Sequence, residues 1–145
     1  MTVKNEFKLT VDSKSINEGF CRVVVSSFAS TLDPTIEELT DLKTAVSEAV
    51  TNSIVHGYDN TCGKIYITGQ ITDDSYIKII IKDKGRGIAD VNQAMTPLFT
   101  TGESDRAGLG FTVMQSFCDR VKVASSLGKG TSVTLIKRIN GRTKW

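Results

Sequence analysis

Residues 48–56 read Glu48-Ala-Val-Thr-Asn52-Ser-Ile-Val-His56, a polar residue at every fourth position inside an otherwise apolar run. At 3.6 residues per turn, Glu48, Asn52 and His56 fall on one slowly drifting helical stripe. Ala49, Val50, Ile54 and Val55 fill most other directions, which predicts a helix buried nearly all round. A carboxylate and an amide in such a place need partners, because burying them unpaired costs several kcal/mol. If the stripe stood alone, a polar face turned to water would explain it as well. Two glycine-bearing stretches lie downstream, Asp83-Lys-Gly85-Arg-Gly87 and Arg106-Ala-Gly108-Leu-Gly110, and the three together describe a nucleotide site.

The apolar patterning around them sets the fold. Phe7, Leu9 and Val11 alternate with Glu6, Lys8 and Thr10, a strand with one buried face. Ser15 to Leu32 reads as a helix with Ile16, Phe20, Val23, Val24, Phe28 and Leu32 as its apolar set, and Arg22 away from it. Asp33-Pro34 reads as the next helix start, Asp33 capping and Pro34 at the first helical position, with Glu37 and Glu38 at the positive end of the dipole. That helix runs to His56, and Gly57 is placed to stop it. Strands follow at 64–71 and 76–82 around a Thr72–Ser75 turn, then a short helical turn at 89–95. Pattern is lost from Thr96 to Ala107, which reads as a mobile loop. Gly108 opens a further helix to about Cys118, and strands at 121–125 and 131–138 close the chain.

This order predicts an α/β (α+β) two-layer sandwich: about five mostly antiparallel strands covered on one face by three helices. The hairpin-length connections argue against a doubly wound parallel sheet. The expected organisation is one domain over 1–139 and a short, fraying tail at 140–145. A chain of 145 residues with 39% hydrophobic and 23% charged residues has the size and composition of one globular domain. Its +2 charge argues for no nucleic-acid partner, and no basic face with interleaved aromatics stands out. No apolar run approaches a membrane span and no signal peptide is visible, so a cytoplasmic protein is expected. Cys21, Cys62 and Cys118 are spaced too widely for a zinc site and read as free thiols.

Chemistry can be assigned to each stretch. Gly85 and Gly87 allow close backbone approaches that other residues forbid, and Asp83 at a strand end can accept a hydrogen bond from an exocyclic amine such as adenine's. A plain Asp-Gly turn remains the simpler alternative for that stretch alone. Gly108-Leu109-Gly110 at a helix start would present amides and a dipole to phosphate, with Arg106 as a forked guanidinium. A hinge glycine and a solvated arginine are the alternatives there. Neither glycine stretch has P-loop spacing, and no HRD or DFG element of the common protein kinases is present.

In this order the three stretches resemble the N, G1 and G2 boxes of the GHKL superfamily, which includes histidine kinases, type II topoisomerases and Hsp90-type chaperones. The resemblance implies ATP and Mg2+ as cofactors. It implies Asn52 as the Mg2+ ligand, Glu48 as general base, Asp83 as adenine acceptor, and Thr131 supporting the adenine site. Residues 96–107 would be an ATP lid, with Thr100 and Thr101 among the nucleotide contacts beside Gly85, Gly87, Gly108, Leu109 and Gly110. The runs SEAVTNSIVHGY, DKGRGI, PLFTTGE, RAGLGF and GKGTSV look like the sporulation anti-sigma F factors. That family implies a homodimer that inhibits a sigma factor and, as a serine kinase, phosphorylates an anti-anti-sigma protein. Arg22 on the first helix is then a candidate sigma contact. A histidine-kinase ATP domain and a binding module without phosphotransfer are the alternatives.

Overall fold

The computed structural model describes residues 2–95 and 104–141, with the side chains of 104–108 excepted. Its strands are β1 (Val3–Asp12), β2 (Lys64–Thr72), β3 (Tyr76–Asp83), β4 (Arg120–Ser126) and β5 (Gly130–Arg138). Its helices are α1 (Ile16–Ala29), α2 (Ile36–Asn52), the one-turn α3 (Val91–Ala94) and α4 (Ser104–Phe117). The five strands form one sheet in the order β1-β2-β3-β5-β4, every neighbouring pair antiparallel. Helices α1, α2 and α4 cover one face, α2 lying between the other two. The expected sandwich is the observed one.

Alternation builds the sheet. In β3, Ile77, Ile79 and Ile81 are buried while Lys78, Ile80 and Lys82 face the other way. β-Branched side chains suit this half-buried pleat. Gly69 of β2 leaves room for Phe7 of β1, whose ring would lie 2.0 Å from a Cβ at that position. Phe7 then meets Phe28 of α1 edge-on, ring centroids 4.7 Å apart, which ties the sheet edge to its covering helix. Leu42, Val46 and Val50 of α2 are fully buried against the sheet, at roughly 1.5–3 kcal/mol each.

Several local expectations are corrected. Helix α1 turns Cys21, Val25 and Ala29 to the core, while Ile16, Phe20 and Val23 stand 80%, 51% and 65% exposed. Its last residues, Ser30–Leu32, tighten into a 3-10 turn. Asp33 adopts a left-handed conformation and does not cap; the cap is Thr35, two residues on. Thr35 Oγ1 accepts the Glu38 N–H, and Glu38 Oε1 accepts the Thr35 N–H. This reciprocal box outcompetes Asp33-Pro34 because it satisfies two orphan donors at once. The end of α2 is also not a plain stop: Ser53–Gly57 opens into a π-turn.

Glu38 does a second job. Its carboxylate also accepts the backbone N–H groups of Asn140 and Gly141, so the chain is held at these two residues rather than fraying from 140; residues 142–145 lie outside the described residues. Partial burial pushes the Glu38 carboxyl up, but the N–H donors of Thr35, Asn140 and Gly141 outweigh it and hold it below its ordinary value. Stability from this site is therefore full above the unfolded-state value and is lost as pH falls through the lower folded value. Replacing Glu38 with Ala should cost about 1–2 kcal/mol at neutral pH. The difference from wild type in urea melts should shrink on acidification, and a constant difference down to the acid transition would refute the linkage.

Burial pushes Cys21 up to about 11 and Cys118 up to about 12, so neither is a thiolate at neutral pH. Among the described residues all cysteines are free.

Candidate functional site

A cavity of about 320 Å3 opens between the end of α2, the β3 end, and the β4–β5 hairpin. Asn52, Asp83, Gly87, Ile88, Thr131 and Val133 are among its lining residues, so both the α2 stripe and the β3-end turn meet in one space. Its size is that of a small-molecule site.

The base of the cavity is built around Asp83, only 3% exposed at the end of β3. Its Oδ1 accepts the N–H groups of Gly85 at 3.0 Å and Thr131 at 3.2 Å, and its Oδ2 accepts the Ser53 hydroxyl at 2.8 Å. A carboxylate offers about four acceptor positions, so one remains on Oδ2 for a donor entering the cavity. The π-turn brings Ser53 and Gly57 together onto this carboxylate. Gly57 is required there, since a Cβ would lie 2.9 Å from Asp83 Oδ2. Gly85 is required for a different reason: its Cβ would fall 2.1 Å from the Gly57 carbonyl oxygen.

Two further ties fix this end. The Arg86 N–H donates to the Gly57 carbonyl at 2.9 Å and its Nε to the His56 carbonyl at 2.7 Å. Gly87, at φ 76°, lies against the Ser126 carbonyl of the β4–β5 hairpin. The Ile88 N–H donates to Ser125 Oγ at 2.7 Å, and that hydroxyl lies 2.8 Å from Thr131 Oγ1. Thr131 thus supports the Asp83 end through its N–H and its hydroxyl.

The other end holds Asn52, 8% exposed, with neither Oδ1 nor Nδ2 hydrogen-bonded. Leaving a buried amide unsatisfied costs about 1–3 kcal/mol, which marks it as waiting for a ligand. Gly110 of α4 rests over it. A Cβ there would lie 3.1 Å from Asn52 Nδ2 and 3.2 Å from Glu48 Oε2. Glu48 and Asn52, one turn apart, therefore share the space beneath Gly110. Glu48 also lines a groove between α1 and α2 with Glu18, Arg22, Lys43 and Ser47, where Arg22 pairs with Glu18 at 3.7 Å.

The stretch at 106–110 is corrected. Helix α4 starts at Ser104, so residues 104–107 are helix rather than loop, and Gly108 lies in the second turn. Its amide is past the first turn, where the free helix donors are. Gly110 serves by close approach instead. Leu109 is 54% exposed. Thr100, Thr101 and the rest of the expected lid up to residue 103, with the Arg106 side chain, lie outside the described residues.

Ser53 and Ser125 carry no site signal in the sequence, and Gly57 is expected there only as a helix stop. Ser53 adjoins Asn52, but only the widened π-turn swings it to Asp83.

Mg2+ fits this donor set. No group of three or more His, Cys, Asp or Glu side chains able to hold a metal occurs among the described residues. An unpaired buried amide oxygen beside a carboxylate suits a hard cation that takes its remaining ligands from phosphate and water.

Comparison with known proteins agrees with this geometry. Residues 13–137 match the family model described as a histidine kinase-like ATPase domain. The chain is 54% identical over 145 residues to an anti-sigma F factor of Caldanaerobacter subterraneus subsp. tengcongensis, covering 99% of this chain and 100% of that one. It is 48% identical over 140 residues to an anti-sigma F factor of Bacillus subtilis, covering 95% of each. In structure it resembles the RsbU and RsbW domains of Rv1364c from Mycobacterium tuberculosis, with TM-score 0.69, 17% identity, and coverage of 98% of this chain and 35% of that one. That last likeness speaks to the fold alone. On sequence, the chain belongs to the histidine kinase-like ATPase family and, within it, to the anti-sigma F factors.

Proposed function

We propose that this chain binds Mg-ATP, phosphorylates a serine of an anti-anti-sigma protein, and holds a sporulation sigma factor inactive, acting as a homodimer in the cytoplasm. The observation that carries the catalytic part is the unsatisfied Asn52 amide beside Glu48, at the far end of the cavity from Asp83. Asp83 accepts the adenine amine at its remaining Oδ2 position. Asn52 Oδ1 would hold Mg2+, which when bound offsets phosphate charge. Glu48 takes the proton of the attacking serine hydroxyl as the new O–P bond forms. The bond from the γ-phosphorus to the β,γ-bridging oxygen breaks, and ADP leaves with the electron pair. Arg106 would meet the terminal phosphate.

The partner side of the reading is supported by the unpartnered face of α1. Ile16, Phe20 and Val23 form an exposed apolar stripe with Arg22 beside it. Aromatic, apolar and arginine side chains are what interface centres favour. Arg22→Glu should weaken sigma-factor binding at least tenfold, measured by titration calorimetry, and leave the ATP Kd within twofold. Equal affinity for the sigma factor would make Arg22 an ordinary surface residue.

The direct test is transfer of labelled γ-phosphate from Mg-ATP, with and without the anti-anti-sigma protein. Label on a serine of that protein, and none on His56, is expected. ATP binding without transfer would move the function to a regulatory module that uses ATP only to shape a surface.

A further inference from the structure

The face of the sheet turned away from the helices carries a charge pattern that composition conceals. Antiparallel register sets its side chains in rows across the strands. One row runs Lys8, Thr68, Ile80, Thr134, Lys122; the next Glu6, Gln70, Lys78, Ile136, Arg120; and a third Thr10, Tyr66, Lys82, Ser132, Ala124. Over β3, β5 and β4, the half away from β1, the outward positions hold Lys78, Lys82, Arg138, Arg120 and Lys122 with no carboxylate among them. Asp119, just before β4, accepts the Arg138 N–H at 2.6 Å at the rim. The Asp12 carboxylate, on β1, is already paired with Lys64. The chain as a whole carries only +2, so this local run of cations without a carboxylate is not visible in the net charge.

The cations are arranged around a track. Ser132, Thr134 and the buried Ile136 of β5 form a low floor, with β3 cations on one side and β4 cations on the other. These rows are two strand spacings apart, about 10 Å. Along each strand, Arg120 and Lys122 are about 6.8 Å apart and Lys78 and Lys82 about 13.6 Å. At one end the track drops into a cavity of about 210 Å3 lined by Lys82, Ala124, Ser126, Lys129 and Ser132. The carboxylate of Asp83, which also borders this cavity, accepts from Ser53, Gly85 and Thr131.

We propose that this face is a docking surface for the phosphate backbone of double-stranded DNA, bound without regard to sequence. Two observations favour the duplex over other polyanions. Single strands are held by stacking bases on aromatic rings, but both tyrosines here are covered by cations, Lys84 over Tyr66 at 5.1 Å and Arg138 over Tyr76 at 5.9 Å. An acidic protein partner would call for an apolar anchor at the centre. None of the exposed large apolar side chains among the described residues stands on β3, β4 or β5. What remains is positive charge and hydroxyls, which suit phosphate.

The test is fluorescence anisotropy of a labelled 20-base-pair duplex against the full chain at 50 mM salt, followed by a salt titration. We expect binding that falls with a log–log salt slope of about −3 to −5, as for some four or five phosphates neutralised. The Lys78→Gln, Arg120→Gln, Lys122→Gln triple variant should lose at least tenfold in affinity. Lys43→Gln on the helix face should not. None of the three residues lines the nucleotide cavity, so ATP binding by the triple variant serves as the folding control. No duplex binding at 50 mM salt would overturn the proposal, as would equal loss in both variants. Tighter binding of poly-glutamate or of single-stranded DNA than of the duplex would also overturn it.

Discussion

Glu48→Gln should bind ATP with a Kd within about twofold of the parent and transfer its γ-phosphate 10²–10⁴-fold more slowly, the usual worth of a positioned general base. Glutamine keeps the shape of the side chain beside Asn52 and beneath Gly110, where a Cβ on Gly110 would already lie 3.2 Å from Glu48 Oε2. It cannot take up the hydroxyl proton. Single-turnover transfer to the anti-anti-sigma protein, with calorimetry for the nucleotide, separates the two effects. Unchanged turnover would remove Glu48 from the mechanism and leave the cavity as a binding site. A parallel loss of affinity would mean that the carboxylate holds the nucleotide itself.

Asp83→Asn tests the opposite end of the cavity and should change which purine is preferred. An asparagine Oδ1 can still accept the Gly85 and Thr131 N–H groups, so the turn should survive. The Oδ2 position becomes an NH2, which can still accommodate Ser53, because a hydroxyl accepts as well as donates. It then faces the adenine amine donor to donor. ATP affinity should fall about 10²-fold, the scale of a buried unpaired polar contact. A 6-oxo purine nucleotide such as ITP offers an acceptor at that place and should lose far less. Competitive displacement of a fluorescent nucleotide by ATP and ITP would show the inversion. An equal loss for both would mean that Asp83 supports the turn and does not read the base.

The strands and the sandwich were legible because period-two alternation reports burial directly, as in Phe7-Leu9-Val11 and Ile77-Ile79-Ile81. Motif order singles out Asn52, Asp83 and Thr131, and the fold brings the three to one cavity. What failed were choices between neighbouring residues of similar chemistry. Asp33-Pro34 is a good helix start in isolation, yet Thr35 with Glu38 is better, because the carboxylate three residues on closes a two-way box. Gly108 reads as a helix start because the polar stretch before it lacks helical period, but the helix begins at Ser104, and α4 packs on α2. On α1 the apolar residues outnumber what one face can bury, so periodicity chose Ile16, Phe20 and Val23 where the core takes Cys21, Val25 and Ala29. The π-turn has no sequence signal that separates it from a helical turn, and with it went the roles of Ser53 and Gly57. The basic sheet face was invisible for a plainer reason. Its lysines and arginines come from separate strands, and only the register sets them side by side.

The lacing of the Asp83 end, through Arg86 to the π-turn and through Ser125 to Gly130 and Thr131, bears on the thermodynamics of recognition. The bonds from Arg86 to Gly57 and His56 and from Ile88 to Ser125 join segments far apart in the chain, those from Ser125 to Gly130 and Thr131 stay within the hairpin, and all form when the protein folds, before any nucleotide arrives. On the proposed reading, the base would therefore meet a preorganised acceptor and would not have to order one, so little of the contact energy would be lost to conformational entropy on binding. Stability and selectivity for the base are in this sense one property. On that reading, any condition that loosens the hairpin should lower nucleotide affinity even where Asp83 itself is unchanged, because Thr131 is one of its supports.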